Sequence, residues 1–293
     1  MATVLVTGAG SGIGLATARR FAEAGDTVFA GVLDTDDVAE LERAAGEGLA
    51  VTVLPLDVTE SASVDRFVGR ALGETGRLDV VVNNAGKVVI APVEETDDDE
   101  AKDIFEVNVF GALRMMRAAL PTMREQGGGT IVNISSISAL APPPFYGVYA
   151  ATKSALEALS DALTYEGRPF GVRVVVIEPG NIRTRILEHA LHARRFTPDS
   201  PYAGLRADTK AAARELISQV MTERHWSESR LVADVVHSAV ASPEPRTRYP
   251  VGPDAEQVAK AVAELGREVL AEAMFASMAA SGDAAARPGD EPG

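Results

Sequence analysis

The sequence predicts an α/β protein with three layers, a doubly wound parallel sheet of about seven strands in a single domain. Three observations predict it. Short runs of Val, Ile and Leu alternate with longer helical patterns through residues 3–252. The runs are continuously apolar rather than alternating, as parallel strands buried on both faces are. A glycine cluster, TGAGSGIG (7–14), stands where the first strand turns into the first helix.

The elements follow in order. Strands are expected at 3–7 (TVLVT), 27–33 (TVFAGVL), 49–56 (LAVTVLPL), 78–83 (LDVVVN), 129–135 (GTIVNIS) and 172–178 (VRVVVIE). A seventh, short strand is expected at 247–252 (TRYPVG). Helical patterns cover 12–24, 36–46, 60–74, 100–126, 149–166 and 231–240. Helices between successive strands imply crossover connections, hence a parallel sheet with helices on both faces and right-handed crossovers. The acidic run EETDDDEAKD (94–103) reads as the start of the long helix, where carboxylates suit the positive end of the helix dipole. Residues 184–230 show no clean period and read as a loop. Residues 255–278 read as an amphipathic helix with Val258, Val262, Leu265 and Val269 on one side. The stretch 279–293 has the composition of a disordered tail. The main domain is therefore expected to span 1–254.

Composition excludes several classes. The chain has 293 residues, 46% of them hydrophobic, enough for one sizeable core. It contains no cysteine, so disulfides, thiolate nucleophiles and cysteine-bound metal are excluded. A formal charge of −14 argues against broad nucleic-acid binding, which depends on Lys and Arg neutralising phosphates. The N-terminus lacks the pattern of a secretory signal, and no apolar run approaches the ~20 residues of a membrane-spanning helix. The expectation is a soluble cytoplasmic protein with no membrane or nucleic-acid partner. His189 and His192 stand beside Glu188 without the H-E-x-x-H order, and no metal is expected.

Two stretches carry chemistry. Glycines in TGAGSGIG let a phosphate approach the backbone, and the helix that follows offers free N–H groups and a positive dipole end. In YGVYAATKSALEAL (146–159), Tyr149 and Lys153 are one helical turn apart on one face, whereas Tyr146 has Ala150 at that spacing. A free tyrosine has a pKa of ~10, and proton exchange near neutral pH needs a fall of about three units. A nearby ammonium favours the phenolate by Coulomb attraction.

The common dinucleotide template G-x-G-x-x-G fails here, because starting from Gly8 and Gly10 its third glycine position is Ile13. What is present is T-G-x-x-x-G-x-G, with Thr7, Gly8, Gly12 and Gly14, and Ser11 where a second branch would carry glycine. This loop resembles that of the short-chain dehydrogenase/reductase family. LDVT (56–59), NNAG (83–86), Asn108 in FEVNVFG, Ser136 thirteen residues before Tyr149, and PGNIRT (179–184) resemble its other motifs, in its order. The resemblance covers about residues 3–252 and implies a Rossmann-like fold and NAD(P)-dependent chemistry at a CH–OH group.

Residue by residue, the resemblance implies a cofactor cradle of Gly8, Ser11, Gly12, Ile13 and Gly14, with Asp57 and Val58 at the adenine. Asn84, Ala85 and Gly86 would line the cofactor, and Pro179, Gly180, Ile182 and Thr184 would meet the nicotinamide carboxamide. Tyr149 would exchange the proton, Ser136 would hydrogen-bond the reacting oxygen, and Lys153 would tune Tyr149 and hold the ribose. The Asn108 carbonyl would hold a water linking Lys153 to solvent. NAD is expected as cofactor, with NADP the alternative. The stretch AGVLDTDD (30–37) carries Asp34, Asp36 and Asp37 and no base, so a 2′-phosphate would be repelled. Relatives that use NAD commonly place an aspartate where Gly31 stands. Asp34 comes three residues late, with capping of the next helix as its other reading.

The substrate side is expected from VVIAP (88–92), ALAPPPFYG (139–147) and the loop after Thr184. These stretches are apolar, and the text FEVNVFGALRMMRAALPTM and RYPVG resembles the hydroxysteroid and retinol dehydrogenase branch, implying a small hydrophobic secondary alcohol or ketone. Phe145 and Tyr146 read either as pocket lining or as simple packing. Helices 100–126 and 149–166 correspond to those that pair subunits in relatives, implying a homodimer or homotetramer. Two alternatives stand beside this reading: an NADP(H)-dependent ketone reductase of biosynthesis, and a non-catalytic dinucleotide-sensing regulator on the same fold.

Overall fold

The computed structural model describes residues 1–33, 38–184, 191–205, 227–273 and 275–276, with 191 and 192 described by their backbone alone. Strand β1 (Thr3–Thr7) is buried along its whole length and leads into helix α1 (Gly12–Glu23). Strand β2 (Thr27–Val32), helix α2 (Ala39–Gly46), strand β3 (Val51–Pro55), helix α3 (Ser61–Thr75) and strand β4 (Val80–Asn83) follow. After a short strand β5 (Val89–Ile90) come α4 (Asp98–Phe105), a π-helical turn (Glu106–Gly111) and α5 (Ala112–Glu125). Then come β6 (Gly129–Ile134), α6 (Gly147–Gly167), β7 (Val172–Pro179) and the short strands β8 (Ile182–Arg183), β9 (Leu191–His192) and β10 (Ser227–Glu228). Helix α7 (Ser229–Ala241), strand β11 (Arg248–Val251) and helix α8 (Pro253–Leu265) complete the described chain's labelled elements.

The sheet has seven strands in the order β11-β7-β6-β4-β1-β2-β3, and every pairing is parallel. Successive strand residues point to opposite faces, so one run feeds two cores. Val4, Val6, Val28 and Val132 pack with Phe21 of α1 and Val232 and Val236 of α7. Leu5, Phe29, Val81 and Ile131 pack on the other face with Phe67 of α3, Met115 and Met123 of α5 and Leu156 of α6. Each large side chain removed from water in this way stabilises the fold by about 1.5–3 kcal/mol.

The chain leaves β1 toward β2 and β3, then returns to place β4 on the other side of β1. The turns after β1 and β4 therefore diverge at the carboxyl ends of adjacent strands, the place where open α/β sheets bind ligands.

The expected strands agree with those observed to within two residues at either end. Two helical expectations need correction. The helix expected over 100–126 is three pieces. It starts at Asp98, where the Asp97 carboxylate accepts the N–H of Asp99 and Glu100, and Glu100 in return accepts the Asp97 N–H. It then widens into the π-helical turn, which carries Asn108 into the interior at 1% exposure. Gly111 closes that turn against Val58, where a Cβ would stand 2.7 Å from Val58 Cγ2. The helix expected over 255–278 starts at Pro253 and breaks at Gly266, whose φ is +82°, before helical backbone resumes over 267–273. Its intended apolar side is only partly covered, since Leu265 and Val269 are exposed. No described helix is long and apolar enough to cross a membrane.

Candidate active site

The glycine turn and the end of β4 are tied together by side-chain hydrogen bonds. Thr7 Oγ1 accepts the N–H of Asn84 (3.0 Å) and Ala85 (2.9 Å). The Asn84 amide donates to the carbonyls of Thr7 (2.9 Å) and Gly8 (3.0 Å). Gly8 holds φ at +63°, a conformation only glycine adopts cheaply, and a Cβ on Gly14 would stand 2.2 Å from the Gly8 carbonyl oxygen. Gly14 is therefore buried structure rather than cleft wall. One strand further, Asn83 Nδ2 donates to Asn133 Oδ1 and Asn133 Nδ2 to Ser160 Oγ, both at 2.8 Å, which locks β4, β6 and α6 together.

A cleft of about 300 Å³ opens over this junction. Its wall brings together Gly8, Ser11, Gly12 and Ile13 from the glycine turn, Asn84, Ala85 and Gly86 from the end of β4, and Pro179, Gly180, Ile182 and Thr184 from beyond β7. Ser136, Tyr149 and Lys153 line the same cleft. Lys87, Ile134 and Ser135 also line it and were missed in the sequence; Lys87 directly follows the NNAG motif, the one signal that could have found it.

Other expected site residues lie outside the wall. Asn108 sits behind Gly86 and Lys87: its Oδ1 accepts the Lys87 N–H (2.8 Å), and its amide donates to the Lys87 carbonyl (2.9 Å) and Thr152 Oγ1 (3.0 Å). The Asp57 carboxylate turns to Thr59, accepting its N–H at 2.9 Å and its hydroxyl at 2.7 Å, while Val58 packs on Gly111. Asp34 falls outside the described residues, as do Glu188 and His189. Among the described residues no group of three or more His, Asp or Glu could hold a metal ion.

The electrostatics of Tyr149 and Lys153 differ from the simple expectation. Burial pushes the Tyr149 phenol up to about 12; a hydrogen bond with Ser136 pulls it down, and the nearby Tyr146 phenol adds to the rise. The residue as a whole keeps partial exposure to the cleft, while its hydroxyl is surrounded by protein. Lys153, only 5% exposed, directs Nζ at the Ile134 carbonyl (2.8 Å), and that nitrogen lies 5.7 Å from the Tyr149 ring centre. Burial brings its ammonium down to about 8, against an upward pull from Glu157. The protein's own groups thus keep the phenol in its neutral form. The expected fall of its pKa, attributed to Lys153, is not produced by the protein alone, because desolvation outweighs every favourable contact.

Beside the cleft lies a small, packed apolar cluster. Val89, Ala91, Ile104 and Ala193 form its core, with Phe105, Val148, Tyr149 and Phe196 packed against them. Phe145 adopts φ +70°, uncommon outside glycine, and stacks on Phe196 with ring centres 5.7 Å apart. Tyr146 meets Tyr149 edge to face at 6.3 Å. The segment after β9 is strapped onto this cluster: β9 pairs with β5, and Arg194 bonds Asp97 (2.8 Å) and, through its N–H, Glu100 (2.9 Å). Ser200 Oγ donates to Glu95 at 2.8 Å. Residues 185–190 and 206–226 of the expected 184–230 loop lie outside the described residues.

Comparison with known proteins places this geometry. The family model described as short chain dehydrogenase matches residues 2–195. The chain belongs to the short-chain dehydrogenase/reductase family. It is 32% identical over 251 residues to a 3-ketodihydrosphingosine reductase of Bacteroides thetaiotaomicron, covering 85% of this chain and 87% of that protein. A short-chain dehydrogenase from Streptomyces avermitilis superposes with a TM-score of 0.79 at 33% identity, over 96% of this chain and 100% of that one. Two further family structures carry coenzymes. An alcohol dehydrogenase of Thermococcus sibiricus with 5-hydroxy-NADP has TM-score 0.68 and 27% identity, over 85% of this chain and 95% of that one. A 3-ketoacyl-(acyl-carrier-protein) reductase of Brucella melitensis with NADH has TM-score 0.68 and 29% identity, over 83% and 91%.

As a short-chain dehydrogenase/reductase, the protein is an NAD(P)-dependent oxidoreductase of CH–OH groups and their carbonyl counterparts. Its cleft fits such a coenzyme. Ser11, the residue before α1, makes no side-chain cap bond, so the first-turn N–H groups of α1 are left without that partner beside the cleft. Gly8 and Gly12 leave the floor bare of Cβ atoms. The cofactor supplies the hydride chemistry when bound.

Proposed function

We propose that the protein interconverts a hydrophobic secondary alcohol and its ketone with NAD as the preferred coenzyme, and that Tyr149 is the general acid/base. One observation carries this reading: Tyr149, Ser136 and Lys153 share a single cleft with the glycine turn and the Pro179–Thr184 segment. In the reductive direction the Tyr149 hydroxyl donates its proton to the carbonyl oxygen. The Ser136 hydroxyl hydrogen-bonds that oxygen and stabilises the negative charge developing on it. Lys153 holds positive charge beneath Tyr149 and, with its ammonium facing the cleft, orients the coenzyme ribose. The phenol is neutral, the form required for donation in that direction. Two of the four relatives above are named reductases and two dehydrogenases, so the reaction is read as reversible.

The apolar cluster of Val89, Ala91 and Phe196 next to Tyr149, with Phe145 stacked on Phe196, supports a lipophilic ketone. A long-chain 3-keto compound suits both this apolar neighbourhood of Tyr149 and the sphingoid and acyl substrates named for the relatives. Support for NAD comes from the 30–37 stretch and its lack of bases. A side chain at Gly31, the expected aspartate site, would need Leu56 to move: a Cβ there would stand 2.4 Å from Leu56 Cδ2. The arginines near Gly12 in the neighbouring cleft already face carboxylates: Arg19 faces Glu23 and Glu47, Arg183 faces Glu228, and Arg230 faces Glu23 and Asp234. Oxidation of NADH and NADPH, followed by absorbance across a panel of lipophilic ketones, tests the proposal. Turnover faster with NADH is expected. Coenzyme binding without turnover across the panel would favour the non-catalytic sensor instead, and faster turnover with NADPH would overturn the coenzyme assignment.

A further inference from the structure

Behind the lysine runs a polar chain that the reaction as described does not use. Glu157 follows Lys153 by one turn of α6 and is 7% exposed. Its Oε1 accepts the Ser135 hydroxyl at 2.6 Å, and its Oε2 lies 3.5 Å from Arg248 Nε. Arg248 comes from β11 at the sheet edge. It also holds Asp161 at 2.8 Å and faces Glu178 Oε1 at 3.5 Å. That last oxygen is within ion-pair range yet has no hydrogen-bond partner, so the contact is electrostatic only. Two nearly buried carboxylates thus lean on one guanidinium. Buried ion pairs are costly to desolvate, and well-packed apolar residues often replace them without loss of stability. Packing alone gives no reason for this arrangement.

Its position gives one. Ser135, gripped by Glu157, lies between Ile134, whose carbonyl accepts Lys153 Nζ, and Ser136, whose hydroxyl lines the cleft. The charged and titratable groups facing Glu157 are Lys153 and Asp161 from its own helix, Glu178 from β7 and Arg248 from β11. Lys153 is the one whose charge the site needs. Arg248 is tied to Asp161 and held away from the cleft by the sheet edge.

We propose that Glu157 is a positioning residue: it keeps Lys153 protonated within a buried site and, through Ser135, fixes the Ile134–Ser136 backbone that holds both the ammonium and the Ser136 hydroxyl. The proposal rests on the reading of Lys153 as part of the coenzyme site. Burial drives this ammonium toward its neutral form, and Glu157 is the group that opposes it. Without Glu157 the amine would release its proton at lower pH, and the cleft would lose the positive charge set beneath Tyr149.

The chain has only five lysines, at 87, 102, 153, 210 and 260, so the Lys153 side chain can be followed directly by NMR of Cε-labelled lysine. Lys153→Met identifies the resonance. Glu157→Gln is expected to lower the Lys153 titration midpoint by about one pH unit. Glu157→Asp, which keeps the charge, is expected to restore most of it. Glu157→Met is a second charge-free variant that leaves no unpaired polar atom, should the amide fold poorly. An unmoved midpoint in a folded charge-free variant overturns the proposal. An NADH fluorescence titration of the wild-type protein separates this outcome from the parent reading. A shifted midpoint without NADH binding removes the coenzyme site and leaves the role of Glu157 toward Lys153 standing. NADH binding with an unmoved midpoint does the reverse.

Discussion

Replacing Ser136 by alanine removes a single hydroxyl from a buried side chain, and two losses follow from the structure. The first is local. Ser136 Oγ accepts the Ser138 N–H at 3.1 Å, capping the short turn Ile137–Ala139. A bond of this kind contributes about 1 kcal/mol. A domain of this size should then melt about 2–4 °C lower. The second loss is chemical. Among the groups acting on the Tyr149 phenol, Ser136 is the one that pulls its pKa down, against burial and Tyr146. It is also the donor aimed at the substrate oxygen in the proposed reaction. Losing one such donor costs about 10²–10³ in kcat, or roughly 3–4 kcal/mol of transition-state stabilisation. The assay is steady-state NADH oxidation at saturating ketone, with a fluorescence titration of NADH and a thermal melt beside it. The expected result is the full drop in kcat with NADH affinity within about two-fold, since Ser136 is not a coenzyme contact in this account. A folded variant that binds NADH and keeps kcat within about three-fold of the wild type would refute the oxygen-binding role.

Two further outcomes follow from the geometry. Burial, helped by Glu157 and Asp161 and opposed by Arg248, raises the Glu178 carboxyl from 4.5 to about 7. Between those values the folded chain keeps a proton that the unfolded chain has released, so stability falls as pH rises through this window and the penalty is complete above pH 7. Glu178→Gln should therefore be more stable than the wild type in urea melts at pH 8, by at most about 3 kcal/mol, and close to equal at pH 4.5; an equal difference at both pH values contradicts the assignment. Arg194→Ala loses ion pairs to Asp97 and Glu100 from a side chain 70% exposed, worth about 0–1 kcal/mol of stability, so the melting temperature should barely move. Because those contacts hold residues 193–196 on the apolar cluster that packs against Tyr149, KM for a lipophilic ketone should rise about three-fold or more with NADH affinity unchanged; an unchanged KM would dissociate the segment from substrate binding.

Much of this was legible in the sequence, for identifiable reasons. The strands were readable because both faces are buried, which turns Val4, Leu5 and Val6 into one continuous apolar run. The glycine turn, the NNAG segment, Ser136, Tyr149, Lys153 and the Pro179–Thr184 stretch were readable as motifs, and the fold gathers them at one switch point. The start of α4 could have been placed better, since Asp97-x-x-Glu100 is the spacing of a capping box. The π-helical turn was not legible, because it meets a tertiary contact, Gly111 on Val58. Nor was the crowding at Gly31, which follows from strand register: Gly31 pairs with Leu54, and Leu56 just beyond covers it. The i, i+4 spacing showed that Tyr149 and Lys153 share a face, but not that burial would outweigh their attraction. Glu157 was visible as one more acid on a helix, and only the approach of Ser135 and Arg248 gives it a partner on either side.

The most direct test of the central claim is the turnover of Tyr149→Phe. The substitution removes one oxygen and keeps the ring that packs against the apolar cluster, so the variant should fold and bind NADH with near-normal affinity. Loss of a positioned general acid should lower kcat by about 10²–10⁴. A Tyr149→Phe protein that reduces the ketone at close to the wild-type rate would show that the proton comes from elsewhere and would contradict the account.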